Sequence, residues 1–218
     1  MKTKAHTAYK TSDGQRVKSV TTLINAHLGW NKQILVNWAR SQGMQGNDPT
    51  KVMNEAAEIG TLAHLLCENF IKKEETNLDD YSKNQIKAAE LCFEAFKEWD
   101  AQFKPKYIES EIKLVDDDLK VGGTCDLILE IDGKLYIGDL KSSKGLYSEF
   151  IVQLAAYRYM YEKQTGNKIV GGRLLRLDKT GQGFEDHAIP LAKLDWGWEV
   201  FQCILTLADL KSNETPNH

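Results

Sequence analysis

The sequence predicts an α/β fold: a central mixed β-sheet flanked by helices, with a helical N-terminal half. Three observations predict it. The first 104 residues carry helix-capping residues and apolar side chains at helical spacing. Two apolar runs, LILEI and KLYIG, flank Asp132-Gly133, a turn pair that accepts positive φ and so marks a hairpin. A helix-period segment then separates that hairpin from two further strand-like runs, the order expected of a sheet covered by helices.

Taken in order, residues 7 to 20 read as a small hairpin around Asp13-Gly14. Ser19-Val20-Thr21-Thr22 opens a short helix through LINAHL that Gly29 stops. Asn31 caps a second helix, KQILVNWARSQ, which gives way to the loop GMQGNDPT. Pro49 suits a helix entrance, and 50 to 73 places Leu62, Leu65, Leu66 and Phe70 on one side of a third helix. A fourth helix, NQIKAAELCFEAFKEWDAQF, is closed off by Pro105. YIESEIKLV is the first expected strand of the main sheet, followed by a DDD turn and the central hairpin. SEFIVQLAAYRYMYEKQTG is a helix from Ser148 to Gly166; KIVGGRLLRLD and GFEDHAIP are strands; LDWGWEVFQCILTLADLK is a closing helix. No internal repeat and no linker divides the chain, so 1–218 is expected to form a single domain. Its parts would be a mostly helical 1–104, a sheet-containing 105–211 and a tail at 212–218.

Composition narrows the class. The 218 residues are 42% hydrophobic and 27% charged, ordinary for a soluble globular protein. No run approaches the roughly 20 apolar residues that span a bilayer, and the first residues lack the apolar core of a secretory signal, so no membrane role is expected. Cys67, Cys92, Cys125 and Cys203 are far apart in apolar surroundings with no CxxC pair, which reads as reduced core thiols in the cytoplasm. The net charge of −3 excludes nucleic-acid binding by bulk attraction alone. The distribution is uneven. Residues 55–118 hold 16 acids against 8 Lys/Arg, whereas 134–179 hold 9 Lys/Arg against 4 acids, so a local phosphate-binding surface is possible on the second stretch.

The chemistry concentrates in residues 121–157. Asp126 starts one arm of the hairpin and Asp139 ends the other, so antiparallel pairing brings the two acids together. Lys141 follows Asp139 by two and shares its face of the strand. Hard carboxylate oxygens of this kind suit Mg²⁺ or Mn²⁺, and Lys141 could serve instead as their counter-charge in a structural ion pair. Gly122 and Gly123, just before Asp126, allow a close approach that a Cβ would block.

These residues also carry a resemblance. Gly-Gly-Thr-Cys-Asp126, then Asp139-Leu140-Lys141-Ser142 thirteen positions on, then Gln153-Leu-Ala-Ala-Tyr157, together resemble the PD-(D/E)XK nuclease core. More narrowly the pattern is similar to RecB-type exonucleases of bacteria, phages and mitochondria, closely over residues 107–177. The resemblance implies a restriction-endonuclease-like sheet and a metal-dependent DNA exonuclease acting on strand ends, in recombination, repair or phage DNA processing. A structure-specific endonuclease, or a non-catalytic nucleic-acid-binding module on the same core, is the alternative. Gly60-Thr-Leu-Ala-His64 fits the family's N-terminal helix, so the resemblance makes His64 a metal ligand beside Asp126, Asp139 and the Leu140 carbonyl. Glu68, one turn on, and Glu111, on the first strand, are further candidate ligands. Lys141 would assist the attacking water, with Gln153 and Tyr157 positioning water and phosphate. Ser142, Ser143, Lys144, Arg173 and Arg176 are candidate DNA contacts, although Arg173 and Arg176, three apart on a strand, cannot both face the site. Some relatives hold an iron–sulfur cluster on four cysteines; the scattered cysteines here predict no iron–sulfur cluster. The expected partners are end-bearing single- or double-stranded DNA and a recombination or single-strand-binding protein, in the cytoplasm of a bacterial or phage-infected cell.

Overall fold

The computed structural model describes residues 8–214; the tail beyond them lies outside the described residues. Strands β1 (Tyr9–Lys10) and β2 (Arg16–Ser19) form the first hairpin. Helices α1 (Val20–His27), α2 (Lys32–Met44), α3 (Pro49–Lys72) and α4 (Lys83–Phe103) follow. Then come β3 (Lys106–Asp116), β4 (Val121–Ile131), β5 (Lys134–Lys141), α5 (Ser148–Thr165), β6 (Gly171–Leu177), β7 (Phe184–Pro190) and α6 (Leu191–Glu214). Local chemistry accounts for most boundaries. Ser19 accepts from the Thr22 N–H at the start of α1, and Asp48 accepts from Thr50 N–H ahead of α3 with Pro49 in the first turn. Ser82 and Gln85 form a reciprocal capping box on α4. Gly166 closes α5 in the left-handed conformation, and Asp132 and Gly133 both take positive φ in the β4–β5 turn.

The sheet is mixed and seven-stranded, in the order β1-β2-β4-β5-β6-β7 with β3 also paired to β4. β5 and β6 are parallel, joined by α5; the β3–β4, β4–β5 and β6–β7 pairs are antiparallel. Two apolar cores lie on its faces. On one side α1, α5 and α6 bury Val20, Leu154, Tyr161 and Phe201 against Val121, Ile128 and Ile137. On the other, α3 and α4 bury Leu62, Phe96 and Trp99 against Leu127, Leu129 and Leu175. The alternating sides of each strand therefore feed different cores, which is why the hairpin arms read as nearly continuous apolar runs.

Three sequence expectations need correction. α2 runs on through Gly43 and Met44 rather than stopping at Gln42. Cys203 is exposed, whereas Cys67, Cys92 and Cys125 are buried as core thiols. The first hairpin is part of the main sheet: β2 pairs in parallel with the start of β4, Lys18 opposite Val121 and Ser19 opposite Gly122. No local pattern announces a two-residue parallel pairing across a hundred residues of chain.

That pairing depends on Gly122, where a Cβ would sit 2.5 Å from the Tyr9 Cβ. The contact is too near the backbone for a rotamer change to relieve it. Gly122→Ala should lower the melting temperature and expose residues 8–19 to limited proteolysis; an unchanged melt and digest would show that the hairpin does not rest on β4.

Candidate active site

One edge of β4 explains where the polar groups gather. β3 covers one edge from Val121 to Glu130, so β2 and β5 must share the other. β2 reaches Gly122, and β5 pairs only from Leu127 onward. The edge between them, residues 123–126, has no strand partner. The break in β4 shows also in its packing: Cys125 belongs to one core and Leu127, two residues on, to the other. Where β5 departs, Asp126 takes over the ladder, its Oδ2 accepting the Leu140 N–H at 2.8 Å. Glu111 lies opposite Asp126 on β3, between the pairs Ser110–Leu127 and Ile112–Cys125, and has φ +52. A non-glycine residue held there stores about 1–3 kcal/mol of backbone strain, a feature concentrated at functional sites.

Both helical layers send side chains into this gap. From α3, His64 Nδ1 comes within 3.6 Å of Asp126 Oδ2. His64, Glu111 and Asp126 each offer a ligand atom, all within 4.8 Å of one another. Gly60 brings α3 this close: a Cβ there would lie 3.0 Å from Ser142 Oγ, just past β5. From the other layer, the Gln153 Oε1 accepts from Lys141 Nζ at 3.1 Å, and its amide N–H groups donate to Tyr157 OH and Thr21 Oγ1, both at 3.2 Å. Lys141 Nζ also donates to Asp139 Oδ1 at 2.8 Å and lies 4.8 Å over the Phe150 ring. Tyr157 is buried in the space left by Gly123, where a Cβ would meet its ring at 2.3 Å.

The electrostatics are unbalanced. Burial, then the charges of Asp126 and Glu68, push the Glu111 carboxyl up to about 8. Burial also raises Asp139, with Lys141 opposing and Asp126 reinforcing the shift. Asp139 is 2% exposed, and although Lys141 Nζ lies 2.6 Å from its Oδ2, the angle is poor and that oxygen has no hydrogen bond. Glu111, Asp126 and Asp139 fully ionised against Lys141 leave two negative charges, the complement of one divalent cation. The clustered nitrogen and oxygen ligand atoms of His64, Glu111 and Asp126, with an Asp139 oxygen that has an ion pair but no hydrogen bond, fit such an ion.

Other residues singled out in the sequence fall differently. Glu68 is committed to an ion pair with Lys72 one turn along α3. Ser143 Oγ donates to the Gly145 carbonyl at 2.7 Å, and Lys144 is exposed. Arg173 pairs with Asp186 beneath Phe103 and Tyr136; Arg176 pairs with Asp178 and Glu185. Both guanidiniums are thus already engaged, which does not favour either as a phosphate contact. Thr21 and Phe150 were not anticipated. Phe150 had a usable signal, since it stands one helical turn before Gln153; Thr21 had none, because its sequence reads simply as a helix start.

The raised Glu111 pKa fixes a sign. Between about pH 4.5 and 8 the folded protein holds a proton that the unfolded chain releases, so the contribution of Glu111 to stability falls as pH rises through that window. In chelator-treated protein, Glu111→Gln should melt near wild type at pH 5 and above it at pH 8, by about 1 kcal/mol or more. Equal melting at both pH values would mean that ionising Glu111 costs the fold nothing.

Comparison with known proteins agrees with this architecture. A candidate exonuclease from Eubacterium rectale is 12% identical over 72% of this chain and 69% of its own, with a TM-score of 0.51, a likeness of fold. The solved protein SSO0001 is 17% identical over 75% of each chain with a TM-score of 0.36, too low to carry an argument. No curated protein matches. The family model described as the PD-(D/E)XK nuclease superfamily matches residues 36–195, from α2 into α6 and across every strand that frames the gap except β2. The chain belongs to the PD-(D/E)XK nuclease superfamily.

Proposed function

We propose that this protein is a DNA exonuclease that hydrolyses phosphodiester bonds at strand ends with Mg²⁺ or Mn²⁺, as one nuclease domain to which both halves contribute. The observation that carries the reading is the gap in the β4 edge, where His64, Glu111 and Asp126 converge and Asp139 and Lys141 follow on β5. His64, Glu111, Asp126 and Asp139 would hold the ion, and the imidazole nitrogen favours Mn²⁺ over Mg²⁺. Such an ion, when bound, polarises a phosphoryl oxygen and makes water more acidic.

The chain's own groups do the rest. An ammonium has three N–H bonds; Lys141 spends one on Asp139 and one on Gln153, leaving the third for substrate phosphate or the attacking water. Gln153 is a positioning residue, its amide fixed by Thr21 and Tyr157 so that its oxygen must face Lys141. The exposed Lys144, just beyond β5, is placed to meet the nucleic-acid backbone. Preference for strand ends rests on the RecB-type pattern and on the fold shared with the candidate exonuclease. A role in recombination, repair or phage DNA processing, inside the cytoplasm, follows from the same pattern. Among the described residues no helix is long and apolar enough to cross a membrane.

End-labelled linear DNA and a covalently closed circle, each with Mg²⁺ or Mn²⁺, test the proposal together. Linear DNA should be degraded and the circle left intact, and Asp139→Asn or Lys141→Ala should cut the rate at least ~10³-fold, about 4 kcal/mol of barrier. Cutting of the circle would instead identify an endonuclease. Full activity in either variant would remove that variant's side chain from the reaction.

A further inference from the structure

Half of the exposed large apolar side chains of the described residues fall in one short stretch: Trp30, Ile34, Leu35, Val36, Met44 and Met53. Isolated surface leucines are unremarkable, but a contiguous patch marks a contact surface. The centre of this patch is α2, which buries no residue at all. Only Trp38, Ala39 and Gln42, toward its C-terminal half, are even partly covered, and Ile34, Leu35 and Val36 are 54–60% exposed. α2 itself carries Lys32 and Arg40 and no Asp or Glu, the nearest acid being Asp48 at the head of α3.

A surface of opposite character lies at the far end of α3. The C-terminal turns of α3, the 76–82 connection, α4 and the start of β3 enclose a groove of about 810 Å³. Its walls include Leu66, Phe70, Phe93 and Tyr107, and its charged lining is Glu74 and Asp100 against the single cation Lys73. Residues 68–100 around it hold nine acids against five Lys/Arg. Phe70, 39% exposed, is on its wall. α2 joins the N-terminal end of α3, and 24 helical residues span about 36 Å. One chain therefore cannot fold its own α2 into its own groove.

We propose that α2 of one copy docks in the α3–α4 groove of a second copy, as a basic apolar helix in an acidic apolar cleft. The association is head-to-tail, so each copy keeps one surface of each kind open until the assembly closes on itself. Aliphatic Ile34, Leu35 and Val36 suit a protein groove and give nucleic-acid bases no stacking face, and the exposed ring of the patch, Trp30, is already stacked on Trp196 at 5.9 Å, which favours a protein occupant over DNA. The inference concerns the assembly and stands apart from the proposed nuclease activity.

Light scattering on the purified full chain at tens of micromolar tests it, using Leu35→Glu to spoil the helix and Phe70→Glu to spoil the groove. Wild type should be oligomeric, each variant monomeric, and an equimolar mixture of the two a one-to-one dimer, because together they retain a single intact helix–groove pair. Circular dichroism melts of both variants confirm that the chain stays folded. A monomeric wild type overturns the proposal. So does a groove variant that assembles like wild type, or a mixture that stays monomeric while both variants are folded.

Discussion

The site depends on a single substitution of partners: where β5 leaves β4, the Asp126 carboxylate accepts the Leu140 N–H that a strand carbonyl would otherwise take. An interior backbone N–H must be paired, so this hydrogen bond lets two central strands separate without leaving an orphan. The same bond turns a carboxylate inward at the sheet's edge. The gap it opens is bounded by β2 on one side and β5 on the other, and both layers of helices contribute side chains to it. His64 reaches it from the α3 side and Gln153 from the α5 side, so polar groups from both layers meet between the two apolar cores. Gly60, Gly122 and Gly123 mark the places where the surrounding elements come closest, and each lacks a Cβ for that reason.

An assembly of this kind is costly in the absence of a cation. Glu111 sits in a strained backbone conformation and holds a proton well above its ordinary range, and Asp139 is buried with one oxygen unbonded. The rest of the fold offsets this. Paired carboxylates elsewhere behave in the opposite way: Thr180 and Arg176 hold Asp178 well below its ordinary value. The contrast between acids satisfied by their surroundings and acids that are not separates structural ion pairs from the candidate site more clearly than proximity alone. Arg173 and Arg176 fall on the satisfied side of that contrast, paired with neighbours on β7 and in the turn before it.

Much of this was legible in the sequence, for identifiable reasons. The Asp132-Gly133 turn fixes the hairpin, the hairpin folds thirteen positions of sequence distance into proximity, and alternation places Lys141 on the face of Asp139. Those are local rules, and they held wherever a strand was regular. They give out at the irregularities. Glu111 is hard to place from the pattern because β3 shifts register between Tyr107 and Glu109, exchanging the faces of every later residue. The parallel contact of β2 with β4 and the bond from Gln153 to Thr21 join segments over a hundred residues apart, where no periodicity reports a neighbour. The site is thus most hidden where the chain departs from ideal geometry, which is also where its chemistry is concentrated.

The unpaired edge at residues 123–126 raises a last question, since an open strand edge invites another strand. Three features prevent that here. Tyr157 fills the space beside Gly123 from the α5 side, Tyr9 donates to or accepts from Thr124 Oγ1 at 2.8 Å, and the Asp126 carboxylate occupies the end nearest β5. A pairing strand would have to bury the Asp126 carboxylate against its own backbone, on a strand whose α5-side face is already covered by Tyr157. A phosphodiester has neither need: it brings no ladder to complete, and in the proposed function its charge would be met by Lys141 and by a cation on the carboxylates. The edge is therefore guarded against a further strand by the placement of a few side chains on an interrupted strand, and the proposed substrate, having no strand ladder to complete, would not meet that barrier.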